Sequence, residues 1–486
     1  MYVPPPGKDR KVQFQSRFVE TRGFQEELQA TQFVQRGTFG TGPMGSQPGK
    51  GINEDPNEPS LWTKLKERAF NTSIKNTANT HVVAFGGKLL TFFEAGLPHR
   101  LDPNKLETMG EDDMDGMLPK GKLPVEVPNV PSQFLPDFIG GAAHTAHPKR
   151  CPHTGNLVAW HWSQVGTDMK VTVTEWSSDK FAKVASRTIT LPNVELVPHD
   201  MVLTENYIFL KVNALSMNTL EFVSGLKGPA ASLKMDGRVN VKGFIFPRPT
   251  KEPIDAIEVD IPPCFSIHFS HGYEDEKSGN LVCIFSGWPP SDSKDFLGAW
   301  GGFAPEFDRI AETFLWRIEI DVETGKTVDL SIAPGSSNVV AEHCVVHPNF
   351  ITKRAMNVYA VASNVMGDST APCGYSRHRV EDGSVTPLKL GERNEEIDCY
   401  FYGTRYFCGE ALVVPKEGAD LEKEEQAYLI GIVCDAVTDK MSISIFDLER
   451  PLREGPVCNM WLKTNVPYGL HGCFDPQSDL QTSYFC

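Results

Sequence analysis

The sequence predicts an all-β protein, most economically an irregular β-propeller, on three observations. Short runs rich in β-branched and aromatic residues recur along the whole chain, each bounded by Gly, Pro, Asn or Asp. Glycine and proline are abundant, at 41 and 36 of 486 residues, so these runs are cut by frequent turns. Long amphipathic helical patterns are scarce, and no composition break marks a linker. Strands from end to end of a chain this long close most simply as radially repeated sheets. No shared signature recurs at about 40 residues, so the blades must differ from one another in sequence.

The elements follow in chain order. Residues 61–75, LWTKLKERAFNTSIK, carry the best helical pattern and are expected as a surface helix or insertion. KVTVTEW (170–176), NYIFLKV (206–212), LVCIFSGW (281–288), WRIEIDVETG (316–325), NVYAVAS (357–363), YLIGIVCDAV (428–437) and MSISIFDLE (441–449) are expected as strands. Each is of strand length and too short for an independent helix.

Composition excludes several functional classes. A formal charge of −15 without a basic patch argues against nucleic acid as a partner, and the acidic surface reads as a solubility feature. No apolar run reaches the ~18 residues of a membrane span, and no signal-peptide pattern opens the chain. Eleven cysteines, an odd number without a C-x-x-C pair, read as reduced, buried thiols of an intracellular protein.

Thirteen histidines are the main carriers of chemistry. Four of them, His144, His147, His153 and His161, crowd one turn-rich stretch, GGAAHTAHPKRCPHTGNLVAWHW (140–162). Gly140–Gly141 and Pro148 argue against a helix there, and an extended chain points neighbours to opposite faces. At most one or two of the four can therefore be ligands of one ion. His199 in PHDMVLTENY, His268 in SIHFSHGYED and His471 in PYGLHGCF lie 52, 69 and 203 residues further on in succession from His147. Such spacing suits a propeller, in which each blade sends a strand along the axis, although each histidine taken singly also reads as a hydrogen-bonded core or turn residue. His271 stands three residues after His268, an offset that faces the other side of a strand. Glu274 and Asp275 read as acceptors in the turn that follows.

The local context resembles the carotenoid cleavage oxygenase family, non-haem iron(II) enzymes that include apocarotenoid oxygenases and the retinal isomerohydrolase. The resembling residues are TAHPK (145–149) followed by Thr154–Gly155, PHDMVLTENY (198–207), the run H-x-x-x-G-Y-E-D from His268 to Asp275, and P-x-G-x-H-G (467–472). SRFVETRGF (16–24) and KNTANTHVVAFGGKLLTFFEAGLPHRLDP (75–103) are similar to the family as well, so the likeness covers nearly the whole chain, 1–486, as one propeller domain.

The resemblance implies seven blades, iron on the central axis, and a cap of loops and short helices. It implies that His147, His199, His268 and His471 are the four ligands of Fe(2+), a role for which neutral imidazoles are suited. Ligating imidazoles need an acceptor on their other nitrogen, and the family's three glutamates would map to Glu94, Glu342 and Glu410. At Glu342 the family pattern is roughly E-F-P-R-I-N-P. This chain instead has His343, Cys344 and His347 where Phe, Pro and Asn are usual. Thr80, in the ANT triplet, would lie near an open coordination position.

The implied activity is cleavage of a carbon–carbon double bond of a carotenoid or apocarotenoid by O2, giving aldehyde or ketone products. A non-cleaving polyene isomerase or hydrolase on the same site, a stilbene-cleaving dioxygenase and an inactive propeller binding protein are the alternatives. Stilbene-cleaving members resemble one another in a Lys before the first glutamate, where this chain has Phe93. A lipophilic polyene and O2 are the expected partners. PNVPSQFLPDFIGG (128–141) is the candidate for peripheral membrane association, with an ordinary buried loop as the competing reading, while the resemblance leaves cytoplasm and plastid both open. The family carries about 100 further residues before the segment matching 16–24, so the first blade is expected to be incomplete, with exposed strand edges.

Overall fold

The structure, a computed structural model, describes residues 14–31 and 74–475 apart from 122, 136–139, 225–228, 230–231, 291–311, 335, 337–338, 366–371 and 382–397. Strands dominate. They form six sheets: β1–β4 (His81–Phe85, Lys88–Phe92, His99–Leu101, Thr108–Glu111), β5–β9 (Ala143–His144, Lys149–Arg150, Leu157–Val165, Asp168–Trp176, Lys183–Leu191), and β10, β11, β14 and β15 (Met201–Leu203, Tyr207–Val212, Val241–Pro247, Ile257–Ile261). The other three are β16–β19 (Phe265–Glu274, Leu281–Trp288, Phe314–Ile320, Thr327–Ile332), β20–β23 (Val339–Val345, Asn357–Val365, Gly374–Arg379, Asp398–Phe401) and β24–β27 (Tyr406–Pro415, Ala427–Asp435, Lys440–Asp447, Cys458–Trp461). A small hairpin, β12–β13 (Leu215–Met217, Leu233–Met235), is inserted in the third sheet. Every run expected as a strand belongs to one of these sheets.

Within each sheet, consecutive strands pair antiparallel, except that β5 and β6 both pair with β7; this is the up-and-down order of a propeller blade. The count corrects the expectation of seven: the described residues make six blades. Blade number is set by how many four-stranded units the chain supplies, and residues 74–475 supply six. None of the six is incomplete, since the first in chain order, β1–β4, has all four strands paired. Helices among the described residues are α1 (Arg22–Ala30), α2 (Thr219–Val223) and short 3-10 turns. The helix expected over 61–75 lies outside the described residues except for its last two positions, which are not helical.

Apolar side chains fill the gaps between consecutive sheets. Trp160, Val171 and Val173 of the second sheet meet Ile208, Phe244 and Phe246 of the third. Phe209 and Ile245 of the third meet Phe269, Phe285 and Ile318 of the fourth. Tyr359 and Tyr375 of the fifth meet Leu429 and Phe446 of the sixth. Each fully buried Phe, Leu or Ile contributes about 1.5–3 kcal/mol, so every gap is a core in its own right. Residues of central strands are covered on both faces, which explains why LVCIFSGW is a continuous apolar run rather than an alternating one.

The first strands of successive sheets neighbour one another, β10 beside β16, β16 beside β20 and β20 beside β24, so they line the axis. The approach is close. A Cβ on Gly272 of β16 would lie 2.2 Å from Val202 Cγ1 of β10, so only glycine fits there. Beyond β27 the chain returns to the first sheet, where the His471 amide donates to the Thr80 carbonyl at 3.0 Å.

A buried ion pair ties the second sheet to the third. Arg248, following β14, donates from Nε and NH2 to both oxygens of Glu175 in β8, at 3.0 and 2.7 Å, with the two side chains 2% and 0% exposed. NH1 reaches Cys151 Sγ at 3.1 Å and the Glu205 carbonyl at 3.3 Å. Removing one partner strands a charge in the core, so Arg248→Met is expected to destabilise the protein by about 3–5 kcal/mol. Urea unfolding of R248M beside the double variant E175Q/R248M checks this, and the double variant should recover part of the loss.

Candidate metal centre

Each proposed ligand sits where regular strand pairing fails. His147 lies in the break between β5 and β6, both of which pair with β7. Its amide donates to Thr145 Oγ1 at 3.0 Å, so the threonine of TAHPK shapes the turn. His199 precedes β10. His268 lies in β16 between Ser266 and Phe269, where the register with β17 slips by a β-bulge. Glu342 and Glu410 adjoin similar slips, between Glu342 and Val345 in β20 and between Cys408 and Ala411 in β24. An extra residue in one strand breaks the two-residue alternation and re-aims the side chain.

These irregularities bring the four imidazoles together. His147 Nε2 is 3.0 Å from His199 Nε2, which is 3.3 Å from His268 Nε2. The ring of His471 centres 4.6 Å from that of His147 and 4.8 Å from that of His268. Carboxylates hold the opposite nitrogens of three rings. Nδ1 of His268 and of His471 lies 2.7 Å from Glu342 Oε2 and Glu410 Oε1 respectively, and Nδ1 of His199 lies 2.5 Å from Glu94 Oε1. The Gly472 amide donates to the second oxygen of Glu410 at 3.0 Å, and the Tyr468 hydroxyl donates to the Cys408 carbonyl at 2.6 Å, securing the tail that carries His471.

This arrangement fits a transition-metal ion. With Nδ1–H assigned to each carboxylate, the lone pairs of those rings fall on Nε2. Between His199 and His268, at 3.3 Å, two such lone pairs face one another and call for a cation, and His147 Nε2, 3.0 Å from His199 Nε2, stands at the same point. Two nitrogens bound at right angles at about 2.1 Å from one ion would themselves be about 3.0 Å apart. Burial, and then the neighbouring imidazoles, push His147 and His268 well below the usual histidine range. Burial foremost brings His471 down to about 4. Neutral rings are the ligating form. Burial also lowers His199, but Glu94, with Asp200 and Glu342, offsets it and the net shift is upward. Burial raises Glu342 and Glu410.

Thr80 is buried beside this cluster and joins it through its main chain, donating to the Phe92 carbonyl at 3.1 Å and accepting from the His471 amide. Other histidines stand apart. His144 stacks on Phe92 at 5.0 Å, His271 meets the Ser270 hydroxyl at 2.9 Å, and buried His378 meets Ser376 Oγ at 2.7 Å. His153 is exposed, and His347 accepts the Asn349 amide at the start of a 3-10 turn. Glu274 accepts from Thr204 Oγ1 and the Asn206 amide, and Asp275 from the amides of Lys277 and Ser278, so both serve the backbone.

Three residues that sequence reasoning passed over, and one that it noted only as a departure from the family pattern, belong to the site. His81, next to the ANT triplet, has Nδ1 2.8 Å from the Ala146 carbonyl and its ring 5.5 Å from that of His471. His343 lies against His268 and His471, with ring centroids 4.8 and 5.0 Å away. Lys149 and Asp200 adjoin proposed ligands in TAHPK and PHD, a proximity that was a usable signal. Asp200, 2% exposed, accepts from Lys149 Nζ at 2.9 Å, from the Met201 amide at 2.7 Å and from the Phe269 amide at 2.8 Å. One carboxylate thus clamps the segments bearing His147, His199 and His268. Asp200→Asn loses the charge and one acceptor. It is expected to weaken cobalt(II) binding about 10-fold or more, measured by equilibrium titration; unchanged affinity would show that the segments hold without this clamp.

Comparisons with known proteins bear on the fold and the family. The apocarotenoid-15,15'-oxygenase of Synechocystis is 25% identical over 480 residues, covering 96% of this chain and 83% of that protein. The carotenoid 9,10(9',10')-cleavage dioxygenase 1 of Pisum sativum is 25% identical over 484 residues, covering 98% and 79%. A solved structure of a variant of the Synechocystis apocarotenoid oxygenase superposes with a TM-score of 0.75 at 23% identity, covering 95% of this chain and 84% of that one. A cobalt-substituted form of the same oxygenase gives 0.74 at 22% identity, covering 94% and 82%. These superpositions establish the propeller fold. The family model described as RPE65, retinal pigment epithelial membrane protein, matches residues 7–476, and the chain belongs to that family.

Proposed function

We propose that the chain is a non-haem iron(II) dioxygenase that cleaves a carbon–carbon double bond of a carotenoid or apocarotenoid. The observation that carries this reading is the convergence of His147, His199, His268 and His471, three of them backed by Glu94, Glu342 and Glu410. The names of the curated relatives, an apocarotenoid oxygenase and carotenoid cleavage dioxygenases, support the substrate class and the use of O2. All-imidazole ligation suits iron(II) and leaves positions open. Bound iron supplies the activation of O2, one oxygen atom ending on each carbon of the former double bond as two carbonyl products.

The chain's own residues orient and exclude. The glutamates fix the tautomer and tilt of the ligand rings. Thr80, buried and bonded through its carbonyl to the His471 amide, is assigned the role of narrowing access with its methyl and hydroxyl. Phe93, buried next to Glu94, offers an apolar ring. Burying a phenol against it without a hydrogen-bond partner would cost about 1–3 kcal/mol, whereas a polyene incurs no such penalty.

Substrate access favours a lipid surface. Among the described residues no helix is long and apolar enough to cross a membrane. Val127, Val130 and Phe134 nevertheless stand exposed in one stretch, Phe134 at 71%. Such a stretch can dip into a leaflet without spanning it.

Two outcomes are expected. The purified protein should hold close to one iron per chain and convert a carotenoid or apocarotenoid to two carbonyl fragments, with little turnover of a 4-hydroxystilbene. His268→Ala should lose both iron, by elemental analysis, and activity; iron retained at the parental level would overturn the ligand assignment. Replacing Val130 and Phe134 together with Ser should reduce co-sedimentation with phosphatidylcholine liposomes while iron content stays unchanged. Equal sedimentation would remove this stretch as the docking surface.

A further inference from the structure

We infer that His343 is a fifth imidazole donor of this centre, one that the four-histidine set does not include. The inference rests on the proposed use of the cluster as a metal site. Donor atoms of His268, His343 and His471 lie mutually within 4.8 Å, just as those of His147, His199 and His268 do, so two triads share His268. The His343 ring is stacked on His268, with planes 29° apart, and lies 5.0 Å from His471.

The backbone is built to put it there. A strand residue following Glu342 would point away from the axis. The bulge between Glu342 and Val345 and a left-handed φ of +49° at His343 turn its side chain back. A non-glycine residue adopts that conformation at a cost in strain, so something at the site must compensate. Its amide donates to the Glu342 carboxylate, which couples the turn to the acceptor of His268. Nδ1 of His343 is buried and has no hydrogen-bond partner, an arrangement that native interiors rarely leave standing. A ring that served packing alone would need neither the polar nitrogen nor the strained backbone.

Equilibrium titration of metal-free protein with cobalt(II), read by visible absorption, tests the assignment. His343→Phe keeps an aromatic ring, and His343→Asn keeps a residue tolerant of positive φ, so at least one should fold, as judged by circular dichroism. Both are expected to bind cobalt(II) at least about 10-fold more weakly than the parent and to shift its ligand-field bands, with X-ray absorption counting one imidazole fewer. Parental affinity and spectrum in a folded variant would overturn the fifth donor. His268→Ala separates the two readings: if it too binds cobalt(II) like the parent, the metal centre itself is wrong, whereas its loss beside an unchanged His343→Phe overturns only the role of His343.

Discussion

Imidazoles that turn their bare ring nitrogens toward one point do not attract one another. Every other feature of the axis answers to that constraint. The Nε2 atoms of His199 and His268 bring lone pairs face to face at 3.3 Å, with His147 Nε2 3.0 Å from the first, so the surrounding protein must hold the rings from behind. It does so with carboxylates on the far nitrogens of His199, His268 and His471. Burial makes those carboxylates costly as anions and the rings costly as cations, as the raised Glu342 and Glu410 and the lowered His147, His268 and His471 record. A divalent cation relieves both costs together, because neutral ligands leave its charge to be balanced by the outer carboxylates.

The propeller makes such a gathering affordable in structural terms. Each gap between consecutive sheets has its own apolar core, so the inner strands can depart from ideal pairing without losing the blades. Departures occur where the chemistry sits: the break before β6, the bulges of β16, β20 and β24, and the tail beyond β27. Loss of regular pairing at these points is offset by polar clamps. The Asp200 carboxylate is the most connected, since Lys149 and the amides of Met201 and Phe269 all converge on it.

Much of the fold was legible because strand composition and turn residues are local properties. The expected runs from 170–176 to 441–449 each hold a strand, including those buried on both faces, although the run 316–325 leaves its strand at Ile320 and turns over 321–325. Blade number was not legible, because it depends on which strands pair into one sheet. Seven blades followed from resemblance, and six are formed by the described residues.

By itself, the sequence determined the β character, the acidic and turn-rich composition, and the histidine and glutamate motifs that mark the axis. Residue type and spacing marked the histidines as candidates, and the family resemblance of the motifs around them pointed to His147, His199, His268, His471, Glu94, Glu342 and Glu410. Only the tertiary structure decided that these residues meet, that Lys149 and Asp200 lock three of their segments, and that His81 and His343 stand among them. The physical reason is the bulge. A strand pattern assigns side chains to faces by alternation, and one extra residue between Glu342 and Val345 reverses that assignment for His343 without leaving a mark in local composition.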